Sequence, residues 1–379
     1  MNTVLIVAGE NSGEKYGADV VREFRRIYPH FSFFGIGGKA MAAEGVDLLF
    51  PIEALSGIGV FEVISALPRI HRIFRRIDRE VDSRKPRAAI LIDCPDFNLR
   101  LAKRLKRRGV PVLYYIGPTV WAWRKQRLKT IKKAVAKMLL IFPFEKPLYD
   151  AQGIPAVFVG HPLKQKVRVE ASRSAFWQKY SLPPNMPLVS LLPGSRQTEM
   201  LNHWPVLRQA MDRIRSEIPV VFLWVVAESL DSRWVDQLRQ CIDTQDRVLI
   251  EDRYEAMAYS DLVLSACGTA NLEAALLGTP LIAFYRLSPL TYYPFRPLVK
   301  IQDFSIVNIL AQKRIIPELI QRQFNPDRLA REAVELLRSN ERKAKMKAEL
   351  AGLDRLLSDE NAAANVASEL GKLLAGRGF

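Results

Sequence analysis

The chain has 379 residues, enough for two to three domains, and its 49% hydrophobic content supplies full cores and rules out compositional disorder. Lysine and arginine outnumber aspartate and glutamate 56 to 40, and the resulting net charge of +16 favours an acidic partner: nucleic acid, anionic lipid or a phosphorylated substrate. Three widely separated cysteines, Cys94, Cys241 and Cys267, without a CxxC, argue against a disulfide framework or a thiolate zinc site and for a reducing compartment. The first residues lack the basic flank of a signal peptide, and no apolar run reaches the roughly 20 residues of a membrane span.

Residues 4–8 read as a buried strand followed by a helix over about 13–28. A second strand closes on the glycines at 35, 37 and 38. Residues 88–92 lead into a helix near 98–108, and 110–116 and 136–142 read as further buried strands. Residues 166–187 are polar, carry Pro183-Pro184 and read as a linker. Strands alternating with helices resume at 188–192, 220–226, 248–250, 262–264 and 280–284, and the chain is helical from 327 onward. Unbroken apolar runs mark strands covered on both faces, and their alternation with helices marks parallel sheets. The fold class is α/β, with two Rossmann-like doubly wound domains facing each other.

Several strand ends carry residues suited to chemistry. The loop Gly9-Glu10-Asn11-Ser12-Gly13 opens a helix, where free N–H groups can hold an anion, or it is only a tight turn. Asp93, Asp96 and Asn98 follow the strand 88–92, either as an acid/base cluster or as a helix cap. Gly194, Ser195, Arg196 and Glu199 follow the first strand of the second series. They suit a phosphate, or form a solvated turn. Gly268 and Thr269 open a helix as a diphosphate would require, with Glu273 one turn on for ribose hydroxyls. The alternative is an N-cap Thr269 with an ordinary first-turn acid. His161 stands alone, and no Asp-x-Asp or HExxH exists, so no metal is expected. In 57–79 an apolar stripe of Leu67, Ile70, Phe74 and Ile77 opposes Arg69, Arg72, Arg75, Arg76 and Arg79, after an apolar lead of Val60, Phe61 and Ile64. This suits a membrane surface or a core-facing helix with solvated arginines.

Together these strings resemble the lipid A disaccharide synthase family. The matching motifs are Ala8-Gly9-Glu10 with Ser12-Gly13, Asp93 with Pro95-Asp96-Phe97-Asn98, and Val120-Trp121-Ala122-Trp123-Arg124. They continue with Phe142-Pro143-Phe144-Glu145, Gly160-His161-Pro162, Pro193-Gly194-Ser195-Arg196 with Glu199, Gly268-Thr269-Ala270 with Glu273, and Asn308-Ile309-Leu310. Glu14 and Ala266-Cys267 depart from the family pattern in two loops. The resemblance implies a glycosyltransferase B fold, divided into an acceptor- and membrane-facing domain (1–165), a linker (166–187), a UDP-sugar-binding domain (188–340) and helices (341–379) that return to the first domain. It implies an inverting transfer from UDP-2,3-diacylglucosamine to 2,3-diacylglucosamine 1-phosphate, without cofactor, at the cytoplasmic face of the inner membrane. A homodimer is a further expectation. On this reading Asp96 is the base, Asp93 a brace and His161 the reserve. Gly194, Ser195, Arg196, Glu199, Gly268, Thr269, Glu273 and Asn308 surround the donor. Ser12, Gly13, Val60, Phe61, Ile64, Arg69, Arg72, Trp121, Trp123 and Arg124 face the acceptor and membrane. The competing readings are another UDP-sugar transferase or epimerase of the same fold, and a nucleic-acid-binding protein suggested by the basic run after Trp121, around which no known module is built.

Overall fold

The computed structural model describes residues 2–55, 63–228, 230–288, 292 and 302–376; the side chains of 63–66 lie outside the description. Among the described residues one sheet comprises β1 (Thr3–Ala8), β2 (Ser32–Gly37), β3 (Val46–Pro51), β4 (Ala88–Ile92), β5 (Val112–Tyr115), β6 (Lys137–Leu140) and β7 (Ala156–Phe158), parallel in the order β3-β2-β1-β4-β5-β6-β7. β1 and β4 are buried along their whole length because both faces are covered. Leu5 and Val7 point into a core shared with Ile70, Phe74 and Ile77 of the helix Val63–Arg84 and with Phe97 and Leu101 of the helix Pro95–Arg107. Val4, Ile6 and Ala8 point the other way, against Val20, Val21 and Phe24 of the helix Asn11–Ile27. The period-two alternation of a strand thus divides one apolar run between two cores.

The second sheet comprises β8 (Leu188–Leu192), β9 (Val221–Val225), β10 (Arg247–Leu249), β11 (Leu262–Ala266), β12 (Leu281–Tyr285) and β13 (Glu318–Ile320). It is parallel in the order β10-β9-β8-β11-β12-β13. Strand order reverses between β1 and β4 in the first sheet and between β8 and β11 in the second. In open α/β sheets ligands bind beyond the carboxyl ends of the strands at such a reversal.

The chain divides into two compact units, Met1–Pro162 with Leu357–Phe379, and Leu163–Leu356. Two expected boundaries are corrected. Residues 166–187 are not a free linker. Their helix Arg173–Tyr180 buries Phe176 against Tyr259, and the Glu255 carboxylate accepts the main-chain N–H groups of Glu170 and Ala171. One apolar side chain anchors this helix, so its composition stays polar. The tail is also shared between the units. The helix Asn340–Asp354 belongs to the second, where the Met346 sulfur accepts Leu281 N–H and Glu349 pairs with Lys313 at 2.6 Å. Only the helix Ala362–Ala375 joins the first, packed on Asn11–Ile27.

Of the two readings of the stripe in 57–79, the described residues fit the core-facing helix. Ile70, Phe74 and Ile77 are core, and the helix Val63–Arg84 turns outward Leu67, Arg69, Arg72, Arg75, Arg76 and Arg79. Val60 and Phe61, and the side chain of Ile64, lie outside the described residues. Among the described residues no helix is long and apolar enough to cross a membrane.

Candidate functional site

In the first unit the carboxyl ends of β1 and β4 meet at the reversal. A Cβ on Gly9 would collide with the Cys94 side chain, so only glycine lets the two loops approach this closely. Asp93 and Cys94 both adopt left-handed backbone, with φ of 49° and 45°, before Pro95 starts the next helix. Backbone in this region costs of order 1–3 kcal/mol and collects at functional sites. Here the bend is held by its own carbonyls. Tyr114 Oη donates to Asp93 O at 2.7 Å, and Asn98 Nδ2 donates to Asp93 O at 2.7 Å and to Ile92 O at 3.0 Å. Asn98 is therefore a buried brace of the turn, and the Asp93 carboxyl is left for other work.

The two carboxylates differ in setting. Burial, and then the charge of Glu10, push the Asp93 carboxyl up to about 6. Asp96 is exposed, with 70% of its side chain accessible, and two guanidiniums grip it: Arg124 Nη1 donates at 3.0 and 3.3 Å, and Arg127 Nη2 at 2.5 Å. Both guanidiniums lie over the Trp123 ring, at 4.3 and 5.6 Å from its centre, and Trp123 Nε1 donates to Thr119 Oγ1 at 3.2 Å. Arg124, Arg127 and Trp123 form a fixed basic platform. His161 is buried against the Phe142 ring, and burial pushes its imidazole down to about 3, so it stays neutral and weakly basic. Ser12 is exposed in the first turn of its helix, whereas Gly13 packs on the Ile92 side chain. Trp121 lies half-buried against Phe144, at 5.4 Å between ring centres.

In the second unit the loop after β8 is folded by its own acid. Gly194 has φ of 126°, and the space a side chain would need is filled by Glu199. Glu199 Oε2 accepts Ser195 N–H at 2.9 Å and Arg196 N–H at 3.2 Å, and Oε1 accepts the Tyr285 hydroxyl at 2.9 Å. The loop therefore offers an anion the exposed Ser195 hydroxyl and Arg196 guanidinium, while these two amides face inward. After β11 the exposed Gly268 caps the helix Thr269–Leu276 with no side chain on its N-terminal amides and open space around it. Thr269 is the first helical residue rather than the cap. Glu273 is buried and paired with Arg253. Asn308 is buried and saturated. Its Oδ1 accepts Ile315 and Ile316 N–H at 2.8 and 3.0 Å, and its Nδ2 donates to Ile316 O and to Glu318 Oε1. Its amide braces the turn before β13 and has no capacity left for a ligand.

Sequence reasoning read Glu10 only as part of the first loop and Arg127 only within a basic run, and it missed Tyr114, Arg253, Tyr285 and His203. None belongs to a periodic pattern or paired spacing, because each acts across strands. His203 is the clearest case. Its Nε2 accepts Arg286 N–H at 3.0 Å, so the proton sits on Nδ1, which donates to Pro193 O at 2.6 Å. Burial lowers its pKa, and the neutral ring ties the loop after β8 to the loop after β12. Among the described residues no three His, Cys, Asp or Glu side chains gather as a metal-binding group.

The profile of the Lipid-A-disaccharide synthetase family matches residues 4–369. The chain belongs to that family. It is 42% identical to the lipid-A-disaccharide synthase of Syntrophus aciditrophicus, over 92% of both chains, and 39% identical to that of Solibacter usitatus, over 96% of this chain and 95% of the other. Among solved structures it is similar to the UDP-GlcNAc 2-epimerase of Neisseria meningitidis bound to UDP-GlcNAc, with a TM-score of 0.64, 12% identity and 99% and 100% of the two chains covered. That likeness fixes the fold, glycosyltransferase B. The family membership makes the chain a glycosyltransferase and disfavours the epimerase alternative.

Proposed function

We propose that the chain transfers 2,3-diacylglucosamine from UDP-2,3-diacylglucosamine to the 6-hydroxyl of 2,3-diacylglucosamine 1-phosphate, with inversion. The products are UDP and a β-1′,6-linked tetraacyl disaccharide 1-phosphate. The observation that carries the reading is the pair of donor-bearing strand ends at the reversal of the second sheet, after β8 and β11. The Ser195 hydroxyl, the Arg196 guanidinium and the N-terminal amides of Thr269–Leu276 take the diphosphate. Gly268 lets it approach the backbone, and the Glu273–Arg253 pair lines the nucleoside side. As the anomeric C–O bond to UDP breaks, these groups stabilise the charge on the departing diphosphate.

The base comes from the first unit. Asp93 is half-buried with its pKa raised to about 6, which leaves it ionised at neutral pH yet basic enough to take the 6-hydroxyl proton as the new bond forms. Asp96, already held by two guanidiniums, fixes the Arg124–Arg127 platform that receives the acceptor phosphate. The arginine face of Val63–Arg84 meets anionic lipid at the cytoplasmic surface of the inner membrane. The test is UDP release by purified protein from the diacylated donor. Release is expected only when the diacylated acceptor phosphate is present. Equal release without acceptor, or an epimerised donor, would overturn the reading.

A further inference from the structure

The turn that carries Arg124 also holds one of a group of buried polar atoms that the reaction above does not use. Trp121 Nε1, Glu145 Oε2 and Tyr149 Oη are each buried, and among the described residues none of the three reaches a partner at full hydrogen-bond geometry. They come from three places in the chain: the turn after β5, the turn after β6 and the short helix Lys146–Asp150. Glu145 is 3% exposed and Tyr149 fully buried. Trp121 packs on Phe144, the residue before Glu145, and Tyr149 lies one turn along the helix that Glu145 caps, so the three side chains share one neighbourhood. The backbone closes over it, since a Cβ on Gly117 would lie 3.0 Å from Tyr149 Oη. Aromatic rings wall it: Trp121 meets Phe144 edge-on at 5.4 Å, Phe144 stacks on Phe142 at 5.5 Å, and Phe142 meets His161 at 5.1 Å.

The donor and acceptor inventory of this group is complementary. The indole can only donate, the hydroxyl can do both, and a protonated carboxyl supplies one donor and one acceptor. An ionised carboxylate here would be a buried charge without a cation to pair it, a costly arrangement that such a group escapes by staying protonated. We propose that Glu145 is a positioning residue for the transfer: as a neutral acid it shares a polar socket with the Trp121 N–H and the Tyr149 hydroxyl, and so fixes the 117–126 turn that carries Arg124. The turn needs such an anchor, because Arg124 sits at φ 51°, in left-handed backbone, while its guanidinium grips Asp96. Burial raises the Glu145 pKa to about 8, and the Phe142 main chain and the nearby Trp121 indole offset this in part. The titratable groups around it are Tyr149, held protonated by burial, and His161 beyond Phe142, held neutral by burial. Loss of the Glu145 proton above that pH places a charge under the turn and releases Arg124.

The effect on turnover rests on the function proposed above, whereas the socket does not. Two readouts therefore separate them. The first is thermal unfolding against pH. A carboxyl whose folded pKa lies above its unfolded value stabilises the fold fully at low pH and loses that contribution as pH rises through the folded pKa. The Tm advantage of the wild type over Glu145→Gln is expected to shrink between pH 5 and 8.5, and a margin independent of pH would overturn the socket. The second is turnover against pH. Wild type is expected to fall above about pH 8. Glu145→Gln is expected to keep turnover within about twofold at pH 7 and to lose that alkaline limb, whereas Glu145→Ala is expected to be at least about tenfold slower throughout. Trp121→Phe keeps the ring packing and removes only the N–H that favours the carboxylate, so its alkaline limb moves to higher pH. An unmoved limb in Trp121→Phe, or a Glu145→Gln as slow as Glu145→Ala, would overturn the positioning role. A pH-dependent Tm margin in a protein that never turns over the diacylated pair would support the socket and remove the functional reading.

Discussion

At the scale of single residues, the β4 turn shows how two carboxylates three positions apart acquire different chemistry. Asp93 is turned inward by its left-handed backbone, and burial plus Glu10 raises its pKa to about 6. Asp96 starts a helix, points outward and is tied to two arginines. Asp93→Asn keeps the shape and removes the basicity, so kcat is expected to fall by about 10²–10⁴, the usual worth of a positioned base. In the proposed mechanism the ionised form is the active one, so kcat/KM of the wild type should fall as pH drops below about 6. Asp96→Asn should act through the platform, raising KM for the acceptor more than it lowers kcat. Full kinetics of both variants from pH 5 to 8 check this, and a larger kcat loss in Asp96→Asn would exchange the two roles. The presence of two acids at this strand end was legible from the motif. That Asp93 is the more buried of the two was expected from its place beside the strand, but its raised pKa was not, since that depends on the φ of residue 93 and on Glu10 across the reversal.

At the scale of elements, the central strands were legible, whereas of the outer ones only β10 was. β1, β4 and β8 stand out as unbroken apolar runs because each is covered on both faces. β7 and β13 have three residues each and lie at sheet edges, too short to show any period. Amphipathic helices carry a different ambiguity. The stripe of Val63–Arg84 has the pattern of a membrane-surface helix, and the structure places its Ile70, Phe74 and Ile77 in the core with Leu67 and the arginines outward. The membrane contact proposed for this helix is then an electrostatic one. Each basic residue near an anionic surface contributes roughly 1 kcal/mol, so charge reversal at Arg72, Arg75 and Arg79 should weaken binding to anionic vesicles on the order of 100-fold or more. Thermal stability should change little, since these side chains are exposed. Vesicle sedimentation at low and high salt checks both points, and binding that survives the triple Glu variant would move the contact elsewhere on the molecule.

At the scale of the whole molecule, composition suggested one helical tail, and packing divides it between two cores. Nothing in the alanine- and leucine-rich stretch after 340 marks where it changes allegiance, because the choice is made by the surfaces it meets. The helix Asn340–Asp354 buries Met346, Leu350 and Leu353 in the second unit, and Lys164 pairs with Asp354 of the same unit. After Leu357 the chain rejoins the first unit. There Val366, Ala367, Leu370 and Leu374 pack on the core around Phe24, Lys137 pairs with Glu369 at 2.7 Å, and Asn365 Nδ2 donates to Val159 O at 3.1 Å. Equivalent truncations in the two helices should therefore damage different halves of the protein. Leu350 and Leu374 are both fully buried, and removing either side chain to Ala costs roughly 2–5 kcal/mol where the core cannot collapse onto the space. Amide hydrogen exchange reads the location as well as the size of the loss. Leu374→Ala should speed exchange in β1, β2 and Asn11–Ile27 and leave β11 and β12 protected. Leu350→Ala should do the reverse. If both variants loosened the first sheet, the division of the tail at Leu356 would be wrong, and the whole stretch after 340 would belong to one core.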